Sequence, residues 1–141
     1  MTIPTPAEIQ AIMRAGVPLA AEWEVEVLAA EGGTALVRMP AKPVLLRPGN
    51  TLSGPALMGL ADIAMWAALL STTGGRDDSV TSTMTVNFLR PAGNGPVLAE
   101  ARIVKRGRRM LFGEVLIRAE GSEELATHIT TTWTVIAPAR G

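Results

Sequence analysis

Residues 54–70 read Gly-Pro-Ala-Leu-Met-Gly-Leu-Ala-Asp-Ile-Ala-Met-Trp-Ala-Ala-Leu-Leu, and every side chain except that of Asp62 is apolar or absent. A helix apolar on all sides is a buried helix, so this run predicts the centre of the fold. Elsewhere the period falls to two. Residues 22–29 alternate polar and apolar, and residues 34–39 do so less strictly after Glu31-Gly32-Gly33, which predicts two strands joined by a glycine turn. Beyond Gly74-Gly75-Arg76-Asp77-Asp78 come four β-like stretches, 80–90, 97–105, 110–119 and 125–136. Four successive strands with short turns predict an antiparallel meander. At the start, Thr5-Pro6-Ala7-Glu8 sets a capping hydroxyl, a first-turn proline and an acid ahead of Ile9, Ile12 and Met13, predicting a helix to about Ala15. Pro40, Pro43 and Pro48 mark an irregular connection into the central helix.

The order α, β, β, long α, β, β, β, β predicts an α+β layer, an antiparallel sheet wrapped around a long central helix. One sheet face covers only part of a helix that is apolar all round. Its second face is therefore expected to meet another subunit, making a homodimer. With 141 residues and 48% hydrophobic content, one core is expected, a single domain over 1–141 with an N-terminal helical segment (1–18) and a core (20–137).

Thirteen basic and thirteen acidic side chains cancel, leaving no global field to draw the chain to nucleic acid or an anionic membrane. The absence of cysteine removes disulfides, thiolate nucleophiles and Cys-ligated zinc, and a single histidine cannot build an ordinary metal site, so no metal is expected. The opening Met-Thr-Ile-Pro-Thr-Pro-Ala-Glu lacks a basic start and apolar run, and no clean span of about 20 apolar residues exists, so a soluble, cytoplasmic protein is expected. Against this background the lone acid of the apolar helix stands out. Burying an ionised carboxylate costs several kcal/mol, in order of magnitude, unless partners or water reach it. Asp62 needs a reason, and catalysis is the leading one.

Gly54 through Ala64 (Gly-Pro-Ala-Leu-Met-Gly-Leu-Ala-Asp-Ile-Ala) and Asn87-Phe88-Leu89-Arg90-Pro91-Ala92, within the order of elements above, resemble the hot-dog fold, and more narrowly the acyl-CoA thioesterases of the PaaI type. The resemblance covers about residues 20–136. In that family the loop ahead of the helix usually reads Asn-x-x-Gly-x-x-His-Gly-Gly, and a Leu-Ala-Asp supplies the acid. Counting back from Asp62, the family glycine falls on Gly54, its histidine on Ser53 and its asparagine on Arg47, so two polar positions are changed. Asn50 lies where the family commonly has its loop glycine.

The resemblance implies an acyl-CoA thioesterase with no cofactor beyond the coenzyme A of its substrate, acting as a homodimer or a dimer of dimers. It makes Asp62 the nucleophile or general base. Thioester hydrolysis also needs a donor for the developing oxyanion. Proline suits the first helical position, so Gly54 is expected as the N-cap, its amide at the positive end of the helix dipole. Eight residues at about 1.5 Å each put Gly54 and Asp62 roughly 12 Å apart along one helix. Both cannot touch one carbonyl, so a shared site requires Asp62 of the partner subunit.

Ser53 is a candidate hydrogen-bond donor in place of the family histidine; Thr51-Leu52-Ser53-Gly54-Pro55 lacks the Gly-x-Ser-x-Gly elbow of a serine nucleophile. Asn50 either polarises the carbonyl or holds the loop. Alternation places Thr81, Thr83, Thr85 and Asn87 on one strand face and Ser82, Met84, Val86 and Phe88 on the other. The resemblance implies a hydroxyl near the start of this strand that positions water. Spacing matches Thr81, with Ser82 and Thr83 as neighbouring registers.

Met58, Met65 and Trp66 are candidate acyl-pocket residues, or simply core. Lys105-Arg106-Gly107-Arg108-Arg109 concentrates basic charge; Arg106, Arg108 and Arg109, with Arg90, are candidates for the coenzyme A phosphates, and Arg47 for an acidic substrate group. His128 is read as structural. The alternatives are a hydratase, which generally pairs its acid with a histidine that this loop lacks, and a non-catalytic acyl-CoA or small-ligand binding protein.

Overall fold

The computed structural model of the chain describes residues 2–136; residues 1 and 137, the outer bounds of the expected N-terminal segment and core, lie outside them. Thr5 caps the first helix, α1 (Pro6–Gly16), its hydroxyl oxygen accepting from the Glu8 N–H at 3.1 Å. Pro18 opens a second, five-residue helix, α2 (Pro18–Glu22). The first strand, β1 (Glu26–Glu31), therefore starts four residues later than alternation suggests. Proline favours the helical first turn, and Glu24, at φ 53, breaks the extended run before Val25 turns into the core.

Gly32 and Gly33, both at positive φ, turn the chain into β2 (Thr34–Met39). A 3-10 turn at Pro43–Leu45 leads to a small hairpin, β3 (Leu46–Arg47) and β4 (Thr51–Leu52), where only an irregular connection was expected. The central helix, α3, spans Gly54–Leu70. Four long strands follow: β5 (Ser79–Phe88), β6 (Val97–Arg106), β7 (Met110–Ala119) and β8 (Thr127–Val135).

The main sheet is antiparallel with the order β1-β2-β6-β7-β8-β5. The meander holds for β6, β7 and β8, but β5 pairs with β8 rather than β6. The helix carries the chain across the sheet, so β5 enters at the far edge and β6 takes the place beside β2. That leaves one side of β5 unpaired among the described residues.

Helix α3 lies mainly over β2, β6 and β7. Gly113 makes the close approach possible, since a Cβ there would lie 2.3 Å from the Met65 methyl group, and Met65 is fully buried. Leu60, Met65, Leu70, Ile117 and Ile129 fill the interface; each such side chain contributes about 1.5–3 kcal/mol relative to remaining exposed. All-round burial of the helix fails along one stripe. Met58 is exposed, while Asp62 and Trp66 are half-buried, and four-residue spacing puts the three on one helical face. This face looks toward β5, which the helix does not cover.

Candidate active site

Asp62 is held at the margin of the core by a strand irregularity. Pairing of β5 with β8 runs Thr81 opposite Trp133 and then Thr83 opposite Thr132, leaving Ser82 as an extra residue in a β-bulge. Strict alternation puts Thr81 on the same face as Thr83, Thr85 and Asn87. The bulge instead turns Thr81 toward α3, where its hydroxyl donates to Asp62 Oδ1 at 2.5 Å. Burial pushes the Asp62 carboxyl above its ordinary range, and the Thr81 hydrogen bond offsets part of that rise. The result is a partly desolvated carboxylate with a fixed hydroxyl beside it.

Asp62 opens into a cleft of about 440 Å³ whose walls include Ile12, Val17, Trp66 and Trp133, with Asp77 as a second acid. Of the three apolar candidates only Trp66 lines it. Met65 points into the sheet at Gly113, and Met58 is exposed on the open stripe outside the cleft. Sequence reasoning passed over four of these wall residues. Ile12 was read only as part of the first helix and Asp77 only as part of the break before the strands, and Val17 lies beyond the expected end of that helix, whereas the inward period of Ile129, Thr131 and Trp133 was a usable signal for Trp133.

The helix N-terminus differs by one residue from expectation. Ser53, not Gly54, is the N-cap: its Oγ accepts from the Ala56 N–H at 3.3 Å, placing Gly54 and Pro55 in the first turn. A hydroxyl can cap where glycine has no side chain to do so. The Gly54 N–H then has no acceptor among the described residues. The Phe88 ring lies against Gly54, 3.5 Å from where a Cβ would stand.

No residue of the loop 46–55 lines the Asp62 cleft. Asn50 sits at φ 57 in the β3–β4 turn, its N–H donating to the Arg47 carbonyl at 3.2 Å and its side chain exposed. Arg47 Nε folds back onto the Pro48 carbonyl at 3.0 Å.

The cations divide between the two ends of the sheet. Arg106, Leu111, Trp133 and Thr81 follow one another across β6, β7, β8 and β5, so the basic turn 105–109 lies at the Asp62 end. Arg106 reaches inward to the Thr72 hydroxyl, whereas Arg108 and Arg109 are exposed. Arg90 pairs with Glu124 at the Gly54 end, where the Leu52 N–H donates to the Gly93 carbonyl at 2.8 Å. His128 lies on the sheet face away from α3, 2.9 Å from Glu114, which fits its structural reading.

Among the described residues no helix is long and apolar enough to cross a membrane. Residues 49–126, more than half of the chain, match the family model of the thioesterase superfamily. A Saccharolobus solfataricus protein that bears an esterase name is 28% identical over 113 residues, covering 80% of this chain and 79% of its own. A variant of the phenylacetic acid degradation protein PaaI from Thermus thermophilus is 27% identical, with a TM-score of 0.75 over 84% of this chain and 99% of its own. The PaaI protein of the E. coli phenylacetic acid degradation operon shares the fold, with a TM-score of 0.82 at 21% identity over 94% of each chain. An antiparallel sheet over one long helix, a matching family model and these relatives together place the chain in the thioesterase superfamily, as a hydrolase of the PaaI-type hot-dog fold.

Proposed function

We propose that the chain hydrolyses acyl-CoA thioesters, without a metal or other cofactor, at a site shared by two subunits. The observation that carries this reading is the separation of two activated groups on one helix. Asp62 is partly desolvated beside Thr81, and the Gly54 N–H is unengaged eight residues earlier. Neither completes a thioesterase site alone.

The open side of β5 supplies a way to join them. An antiparallel pair of β5 strands with its two-fold at Thr85 puts Thr83 of one chain opposite Asn87 of the other and, since Ser82 is the extra residue of the bulge, Thr81 opposite Phe88. Since Phe88 lies against Gly54, the Asp62–Thr81 pair of one chain then meets the helix N-terminus of its partner. Such a dimer covers exposed apolar side chains on both chains, Met58, Val80, Phe88 and Leu89 among them. It also removes the unpaired edge strand. Two such dimers can associate further into a tetramer.

In this site the Gly54 amide, at the positive end of α3, stabilises the oxyanion, and the Ser53 hydroxyl donates to the same oxygen in place of an imidazole. Asp62 attacks the carbonyl carbon or removes a proton from a water that does so, with Thr81 fixing the carboxylate or the water. The C–S bond breaks and the coenzyme A thiolate leaves, taking up a proton; where Asp62 is the nucleophile, water then cleaves the acyl–Asp62 anhydride, releasing the acid and restoring the carboxylate. Asn50 acts through its turn, which shapes the loop, and Arg47 and Arg90 stand beside the N-terminal half of the site. The cleft behind Asp62, walled by Trp66 and Trp133, takes the acyl group.

The first test is thiol release from short, medium, long and aryl acyl-CoAs by the wild type and by Asp62→Asn. Turnover that collapses in the variant, with the folded dimer intact, supports the reading. Absence of turnover across the panel overturns it in favour of a ligand-binding protein. Mixed dimers of Asp62→Asn with Gly54→Val chains test the shared site, because each mixed dimer regains one intact site from two inactive parents. Failure of mixing to restore any activity refutes sharing.

A further inference from the structure

We infer that Asp77 makes the Asp62 cleft sort acyl groups by the charge at their far end, taking those that end in a methyl or a quaternary ammonium in preference to those that end in a carboxylate. This rests on the acyl-CoA reading and names the class of acyl group within it. The cleft holds two carboxylates, Asp62 and Asp77, and no basic residue among its walls. Two of its hydroxyls are already engaged, Ser79 donating to Asp78 Oδ1 at 3.2 Å and Thr81 to Asp62. Asp77 is exposed, and its carboxylate has no cation within 4.0 Å among the described residues. Its neighbour Arg76 turns to Asp78 instead, at 4.0 Å, and the basic turn 105–109 contributes no residue to the cleft.

The two acids stand apart along one wall. The Ile136 N–H donates to the Asp78 carbonyl at 2.7 Å, so the ladder with β8 runs on past Ser79 and keeps the chain extended. At about 3.3 Å per residue, Asp77 stands about 13 Å ahead of Thr81, the residue bonded to Asp62. An acyl chain whose carbonyl is at Asp62 extends along this wall, and its far end meets Asp77.

The remaining walls are largely apolar and aromatic. The Trp66 ring rests on Gly16, where a Cβ would stand 3.0 Å from its Cη2, so α1 holds that ring in place. Indole faces beside an unpaired carboxylate suit an alkyl chain and also a cation. A further carboxylate entering this cleft meets like charge and finds no cation to replace the water it loses.

Matched acyl-CoAs of six and eight carbons, ended by methyl, carboxylate or trimethylammonium, test this, because the coenzyme A part is common to all and cancels in ratios of kcat/KM. The wild type should prefer the methyl and trimethylammonium ends to the carboxylate. Asp77→Asn should raise the carboxylate-to-methyl ratio about fivefold and lower the ammonium-to-methyl ratio by a similar factor, as expected for one partly exposed charge. Asp77→Lys should carry both ratios further the same way, Asp77→Glu should keep them near the wild type, and salt should shrink every difference. Ratios that do not move in Asp77→Asn and Asp77→Lys overturn the assignment, as does a wild-type preference for the carboxylate end. Calorimetric titration with non-hydrolysable S-alkyl-CoA thioethers bearing the same three ends reads the same ratios as affinities. If the wild type releases thiol from none of the thioesters, the catalytic reading fails while the titration still decides the role of Asp77.

Discussion

The chemistry of Asp62 is governed by two opposing influences, burial and the Thr81 hydroxyl, and each makes a separate prediction. Burial raises its pKa and the hydrogen bond lowers it. A base or nucleophile must be ionised, so kcat/KM should fall on acidification through a pKa above that of an ordinary aspartate. Thr81→Val removes the lowering influence. Its acid limb should move to higher pH, and a pH–rate profile in which the limb stays put or moves to lower pH would contradict the role given to Thr81. Stability follows the opposite sign. A folded-state pKa raised above the ordinary 3.8 means that the native state holds the extra proton, so Asp62 costs stability as pH rises from 3.8 through the raised value. Asp62→Asn should therefore be more stable than the wild type at neutral pH, with the advantage shrinking as pH falls through the raised value and lost below the ordinary 3.8. Urea melts at several pH values measure that difference.

At the scale of elements, the contact between α3 and the sheet depends on positions with no side chain. Gly113 on β7 receives Met65, and Gly59 on α3 lies against the Trp23 ring, 2.7 Å from where a Cβ would stand. Gly113→Ala would press a Cβ against both the Met65 methyl and the Arg102 carbonyl oxygen, 3.1 Å away. The expected cost is about 1–3 kcal/mol, typical of overpacking. A denaturant midpoint unchanged by Gly113→Ala would mean that the helix can lift without penalty. In the double variant Gly113→Ala/Met65→Ala the two losses should not add, because Met65→Ala removes the side chain that the new Cβ meets.

For the whole molecule, the unpaired side of β5 and the uncovered stripe of α3 adjoin each other, so a partner that pairs with the strand also covers the helix. Thr85 lies near the inferred two-fold axis, exposed on the sheet face away from the helix. Thr85→Lys sets like charges near each other across that axis, at a cost of roughly 1 kcal/mol, or about a fivefold rise in the dissociation constant. Sedimentation should detect the rise, and turnover per chain should fall on dilution in step with dissociation. Activity that persists in fully dissociated chains would place the whole site within one subunit.

The amino-acid sequence by itself determined the elements whose signals are local. The uniform apolarity of residues 54–70 marks the central helix, Thr5-Pro6 caps the first one, and β2 and β7 follow from alternation between glycine or charged turns. Asp62 was legible as a candidate because one charge in an apolar helix needs no tertiary information to stand out. Features that depend on what lies opposite were decided only by the tertiary structure. Pairing of β5 with β8 follows from the path of α3 across the sheet, and the Ser82 bulge exists only in register with β8, yet it alone brings Thr81 to Asp62. The cap moved to Ser53 because its hydroxyl reaches the Ala56 N–H, and Arg106 left the set of unpaired cations because the end of α3 lies beneath it. Periodicity reports which face of an element is apolar. The neighbour that each face meets is set by long-range packing, which no local pattern encodes.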